Sequence, residues 1–177
     1  MRLHPKREGN PRGFFLGIFI LATLAALGVV FWSLWEDPES LPLLLALLLL
    51  EIPLTGAFLL WLSSLPGRLS YELAGPVLTV HLPFGRRSVH RSEVTEVRLL
   101  HYTLPWWSYR YKGEASMPGY HHRKFRLSPQ SYPGGLPVEA FVGARRGEGV
   151  LLVLKNGSGL LLNPEDPPPL LKWKGEA

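Results

Sequence analysis

One carboxylate interrupts an otherwise uncharged apolar run. Glu51 is the only charged residue between positions 41 and 63, and residues 13 to 35 contain none. An ionised carboxylate near the middle of a membrane helix costs at least about 2.5 to 3.5 kcal/mol, so it needs a partner or a proton. Thr55 lies one turn later on the same helical face, and Pro53 removes a backbone donor and so frees the carbonyl of Leu49. Two readings follow. In one, a protonated Glu51 bonds to Thr55 or a nearby carbonyl; in the other, Glu51 and Thr55 contact another subunit or serve a proton-linked role.

A second group with chemical character lies between His101 and Arg126. There Trp106, Trp107, Tyr109, Tyr111 and Tyr120 interleave with Arg110, Lys112, Arg123 and Lys124. Aromatic rings settle at the headgroup level of a bilayer, and basic side chains attract anionic lipid at about 1 kcal/mol each near the surface. Trp106, Trp107, Tyr109, Arg110, Tyr111, Lys112, Arg123 and Lys124 are therefore candidates for a membrane-facing or partner-binding surface. The competing reading places some of these rings, Trp106 and Trp107 among them, in a protein core. The same mixture suits single-stranded nucleic acid, but no recognition motif accompanies it and no nucleic-acid partner is expected.

Catalytic signatures are missing. The chain carries no phosphate-binding Gly-rich loop ending in Gly-Lys-Ser/Thr, no Gly-x-Ser-x-Gly elbow and no His-Glu-x-x-His. It has no cysteine, which excludes disulfides, Cys-ligated metals and thiol nucleophiles. His121 and His122 are adjacent, so on a strand they face opposite ways and read as surface histidines, not as a metal pair. The expectation is no enzymatic activity, no cofactor and no bound metal.

Such residues need elements to hold them. The two apolar stretches are each long enough to cross a hydrocarbon core of about 30 Å as a helix. The first exceeds the apolar core of a signal peptide and lacks a small-x-small cleavage pattern, so it is expected to be retained. Residues 1 to 12 carry Arg2, Lys6, Arg7 and Arg12 against Glu8, while the connection from Glu36 to Ser40 has three acids and no base. With Arg68, Arg86, Arg87 and Arg91 after the second helix, the positive-inside bias puts both termini in the cytoplasm. The net charge of +5 fits this basic side. In the first stretch Gly13 and Gly17, Ala22 and Ala26, and Gly28 would let a helix backbone approach closely.

From Leu69 the pattern becomes alternating. Leu69 to Leu73 and Leu78 to Leu82 flank Ala74-Gly75-Pro76 and form a hairpin. Further strands are expected over 87–90, 94–100, 124–127, 138–142, 150–155 and 159–162, with 101–123 a long loop. Asn156-Gly157 marks a tight type I′ hairpin. Many short strands with little helical period imply a small barrel or sandwich.

The hairpin, the segment from Val89 to Val97, Gly113 to Arg126 with its Pro118-Gly119-Tyr120 and Phe125-Arg126, the Asn-Gly hairpin and Asn163-Pro164-Glu165-Asp166-Pro167 together resemble bacterial pleckstrin-homology-like (PH-like) domains over roughly residues 69–167. That group often carries transmembrane helices. The resemblance implies a bent barrel closed at one end by a C-terminal helix, with no enzymatic activity. Pro167 to Pro169 depart from it, leaving room for one helical turn near Leu170 to Lys174, and the barrel end is then expected to be covered by a partner or the membrane.

The expected organisation is an α+β membrane protein: a basic N-terminus over 1–12, a transmembrane helical hairpin over 13–65, a PH-like cytoplasmic barrel over 69–167, and a Pro-rich tail or short helix over 168–177. The expected role is a non-enzymatic adaptor or binding module at the cytoplasmic face of the cell membrane, in contact with the bilayer and a protein partner. The alternative is an accessory subunit of a larger integral membrane complex.

Overall fold

The computed structural model describes residues 1–36, 39, 41–105, 114–129, 131–132 and 134–174. They form two compact units, Asn10–Ser64 and a β-rich unit made of Met1–Gly9 together with Leu65–Ala177. The chain is α+β.

The first unit is a pair of helices, α1 (Pro11–Glu36) and α2 (Leu41–Ser64). Both are long and apolar enough to cross a membrane. Continuous runs of Leu, Ile, Phe and Ala propagate helix readily, and α2 continues through Pro53. Their apolar side chains point mostly outward: Leu21, Phe31, Leu49 and Leu60 are exposed, whereas Phe15 and Leu48 are buried. The close approach is on α2, where a side chain at Gly56 would meet the Phe19 ring at 3.4 Å. Gly17 and Gly28, singled out by their spacing, have open space beside them.

The β-rich unit holds two sheets. The first has four strands in the order β1 (Arg2–Leu3), β2 (Ser70–Ala74), β3 (Val77–Leu82) and β4 (Gly85–His90). The second has six: β5 (Val94–Thr103), β6 (Ala115–Met117), β7 (Tyr120–Leu127), β8 (Leu136–Val142), β9 (Arg146–Leu154) and β10 (Gly159–Leu162), in the order β5-β9-β10-β8-β7-β6. The sheets do not close into a barrel, contrary to the sequence expectation. Closure needs every edge strand to find a neighbour, and β4, the edge of the first sheet, pairs only with β3 among the described residues.

Three further expectations are corrected. The presumed loop over 101–123 contains the end of β5, all of β6 and the start of β7; its polar and aromatic composition hid the alternation. The Asn156-Gly157 turn is not type I′, because Asn156 has negative φ and only Gly157 (φ 76°) is left-handed. Gly157 N–H donates to Leu154 O at 3.0 Å, and the loop is correspondingly wider. The end of the core is also not left open. The proline run begins α3 (Pro168–Lys172), where the missing N–H groups of the first turn cost nothing. Leu170 and Trp173 are buried in the inter-sheet core, and Trp173 Nε1 donates to Gly75 O at 2.9 Å.

Two apolar clusters sit on opposite faces of the second sheet. Tyr71, Leu78, Val80, Phe141, Leu152 and Leu162 fill the space between the sheets. Val138, Ala140, Leu151, Val153 and Leu161 are buried on the far face with Tyr102 and Leu104. Strands buried on both faces read as continuous apolar runs, which is why Val150 to Leu154 and Leu160 to Leu162 show no alternation.

The N-terminal residues, legible in the sequence only as a basic flank, are woven into this unit. Arg2 and Leu3 pair with Glu72 and Tyr71. Lys6 N–H donates to Asn163 O at 2.7 Å, and Asn163 Nδ2 returns a bond to Lys6 O at 2.7 Å. Asn163 Oδ1 accepts from Gly143 N–H at 2.8 Å, while the buried Tyr71 hydroxyl donates to Phe141 O at 2.7 Å. Gly143 is obligatory because a Cβ there would lie 2.7 Å from Lys6 O.

Asn163→Ala strands the Gly143 N–H and Lys6 carbonyl in a buried site. It should lower stability by roughly 2–4 kcal/mol, against about 1–2 for Tyr71→Phe. Denaturant unfolding of the β-rich unit, followed by tryptophan fluorescence in detergent, measures both, and an equal or smaller loss for Asn163→Ala would contradict this hierarchy.

Candidate functional site

The carboxylate of Glu51 is exposed on α2, with no hydrogen bond or ion pair to any described residue. Thr55 is half-buried on the same helix. The two are therefore not joined to each other, and the polar group at the middle of α2 faces outward.

Of the aromatic and basic candidates, Trp106, Trp107, Tyr109, Arg110, Tyr111 and Lys112 lie outside the described residues. Arg123 and Lys124 are on β7. Arg123 Nη1 meets Glu114 Oε2 at 2.6 Å, with both side chains mostly buried, and Lys124 Nζ lies 3.5 Å from Glu139 Oε1. Glu114 Oε1 also accepts from the Lys124 backbone at 2.9 Å. These two cations therefore carry ion pairs inside the domain.

The adjacent histidines face opposite ways, as strand geometry requires, but neither is a surface residue. His121 is buried on the far face of the second sheet, its Nδ1 2.7 Å from Ser116 Oγ. Burial, helped by the Arg145 and Arg123 guanidinium groups, pushes its pKa down to about 4. His121 is thus neutral at pH 7. His122, on the inter-sheet face, stacks on Phe141 with ring centroids 4.5 Å apart, and its Nε2 is 3.0 Å from Glu139 Oε1. That hydrogen bond, with Lys124 and Arg87 nearby, holds the Glu139 carboxyl below the ordinary carboxylate range. Burial against Val142 and Phe141 of β8 and Ser116 of β6 is a tertiary property, and the polar string His-His-Arg-Lys conceals it. Among the described residues no group of three or more His, Asp or Glu could hold a metal.

A cleft that sequence reading missed lies at the open side of the two sheets. It encloses about 180 Å³ and is lined by Arg87 and Val89 of β4, Lys124 and Phe125 of β7, Pro137 to Glu139 of β8, Leu154 and Ser158 to Leu160. Its origin is visible in the register. Residues of β4 that share the core-facing side of β3 are Gly85, Arg87 and Val89, opposite Leu82, Val80 and Leu78. Only Val89 of these three is buried. An arginine stands where alternation asks for an apolar side chain, so β4 cannot seal against the second sheet. That break in alternation at Arg87 is the signal by which the cleft could have been found.

No family model matches the chain, and no curated protein and no solved structure is found similar to it.

The cleft has apolar walls and a rim carrying Arg87, Lys124 and Glu139. Such a lining suits a group with an apolar part and a charged edge.

The depressed His121 pKa makes stability depend on pH. The unfolded chain binds a proton at this site near pH 6.5 and the folded chain only near pH 4. Stability is therefore full above about pH 6.5 and lost as pH falls toward 4, at no more than about 1.4 kcal/mol per pH unit. Glu139, with its lowered pKa, adds a loss of the same sign at the acid end. Urea unfolding at pH 7, 6, 5 and 4 should show this decline, with a shallower slope in His121→Asn; an unchanged slope would remove His121 as its source.

Proposed function

We propose that this chain is a membrane-anchored PH-like domain protein acting as a non-enzymatic adaptor or binding module at the cytoplasmic face of the cell membrane. The observation that carries the reading is covalent. Residues 1–9 and 65–177 fold as one unit, and the helical pair is an insertion between them. Both outer helix ends are thereby tied to one folded body, which supports a topology in which they emerge on the same side of a bilayer.

Several features support the membrane. The candidate spans, Pro11–Ser33 and Pro42–Arg68, match the thickness of a hydrocarbon core. Their outward apolar side chains would be costly in water and are at home in lipid. Arg2, Lys6, Arg7 and Arg12, with Arg68, Arg86, Arg87 and Arg91, make the folded body's side the basic one, which favours the cytoplasm. The PH-like reading draws on the sequence motifs and on the order of a first antiparallel sheet, a second sheet and a C-terminal helix that covers the core. Tethering by two helices keeps the β-domain and its cleft within reach of the bilayer and of neighbouring membrane proteins. With Arg123 and Lys124 ion-paired internally, lipid contact through the aromatic segment would fall to Trp106, Trp107, Tyr109, Arg110, Tyr111 and Lys112.

One observation favours the alternative, an accessory subunit of a larger membrane complex. Glu51 is exposed without a polar partner among the described residues, and lipid provides none. A neighbouring helix from another subunit would relieve that cost.

The topology is tested by single cysteines, since the native chain has none. Ser40→Cys should react with an impermeant thiol reagent in intact cells, and Lys155→Cys only after lysis; labelling of position 155 in intact cells would overturn the orientation. Glu51→Leu and Glu51→Gln, purified in mild detergent, separate the two roles. Loss of a stoichiometric membrane partner in both variants supports the subunit reading, while retention of every association in both supports the adaptor.

A further inference from the structure

We infer that the outer edge of β4 docks an extended, acidic segment of a partner protein, which adds to the four-stranded sheet as a fifth strand and seats one large apolar side chain in the cleft beneath it. This deepens the adaptor reading and rests on it for the existence of a protein partner.

The backbone of β4 is set up for such an addition. Among the described residues β4 has a neighbour on one side only. Arg91 N–H donates to Pro76 O at 2.7 Å, which marks that opposed pair as hydrogen-bonded. Bonded and non-bonded pairs alternate along an antiparallel ladder. With the register Leu78↔Val89, Val80↔Arg87 and Leu82↔Gly85, the groups of Gly85, Arg87 and Val89 bond to β3. The N–H and C=O of Arg86, Ser88 and His90 therefore point away from the sheet, at the spacing an incoming strand needs.

The cleft lies under this edge and not under the middle of the sheet. Its lining takes Arg87 and Val89 from β4 and nothing from β3, with Pro137, Leu154 and Leu160 as its apolar floor. A strand added to β4 directs every second side chain toward that floor. A volume of about 180 Å³ is room for one large side chain.

Charge selects the occupant. Arg86 and Arg87 are exposed and form no ion pair within 4 Å among the described residues. Glu139, the carboxylate on the rim, is already bonded to His122 and lies beside Lys124. A second copy of this chain is disfavoured, because antiparallel pairing of β4 with itself brings the arginines of both copies onto one short ladder. The basic edge that resists self-pairing attracts an acidic strand.

The test uses the full chain in detergent and a fluorescein-labelled peptide of sequence Glu-Val-Glu-Phe-Glu-Val-Glu, followed by anisotropy. Saturable binding is expected. Ser88→Pro removes an outward N–H without touching the β3 ladder and should weaken binding by about tenfold or more; Arg86→Glu with Arg87→Glu should do the same through charge, and keeps the test decisive if the proline variant does not fold. Peptide N-methylated on the bonding edge should lose binding, and peptide methylated on the opposite edge should keep it. Absence of saturable binding up to millimolar peptide, or equal binding of the two methylated forms, overturns the inference. Self-association abolished by Ser88→Pro would assign the edge to a second copy instead. Displacement of the peptide by phosphatidylglycerol vesicles, with indifference to Ser88→Pro, would assign the cleft to lipid. Failure here alongside a co-purifying protein partner that both Glu51→Leu and Glu51→Gln retain removes the docking edge and leaves the adaptor reading standing.

Discussion

The β-rich unit depends on one buried amide. Asn163, almost wholly shielded from solvent, holds Lys6 by two hydrogen bonds and Gly143 by a third. A buried side-chain amide left unpaired costs more than a satisfied one contributes, so the position of Asn163 at the end of β10 dictates where residues 4–8 must run. Leu3 is thereby placed in the inter-sheet core and Arg2 against β2, and the chain is sewn to the domain before the first helix begins. Tyr71 closes the same corner from β2, its phenol kept neutral by burial and spent on Phe141 O.

The two sheets differ in how completely they are sealed. The second buries both faces of β8, β9 and β10, and its inter-sheet face ends in the cover supplied by Leu170 and Trp173. The first is sealed only as far as Val89. Beyond it Arg87 and Gly85 occupy the core-facing positions of β4, and no apolar side chain reaches across to the second sheet. Stability and opening are thus separated along a single strand: Val89 belongs to the core, and Arg87 two residues earlier belongs to the cleft rim.

Much of this was legible in the residues. Two apolar runs of helical length, the alternation from Leu69 to Leu82, the strands around Val138 and Val150, and the exceptional position of Glu51 all follow from local pattern, because helix and strand formation respond to near neighbours in the chain. The PH-like resemblance rested on short motifs, and the closed barrel it implied is not what these strands build. Burial of His121, His122 and Arg123, the strand character of Ala115 to Met117, the place of residues 1–9 and the cleft beneath β4 were not legible, since each is decided by residues distant in sequence: Ser116 and Arg145 for His121, Glu139 and Phe141 for His122, Asn163 for Lys6, and the second sheet for Arg87. The sequence by itself determined which segments are apolar, which alternate and where charge is concentrated; the tertiary structure alone decided which polar groups lose water and which strand edge stays open, because desolvation and edge pairing depend on surfaces that only the folded chain brings together.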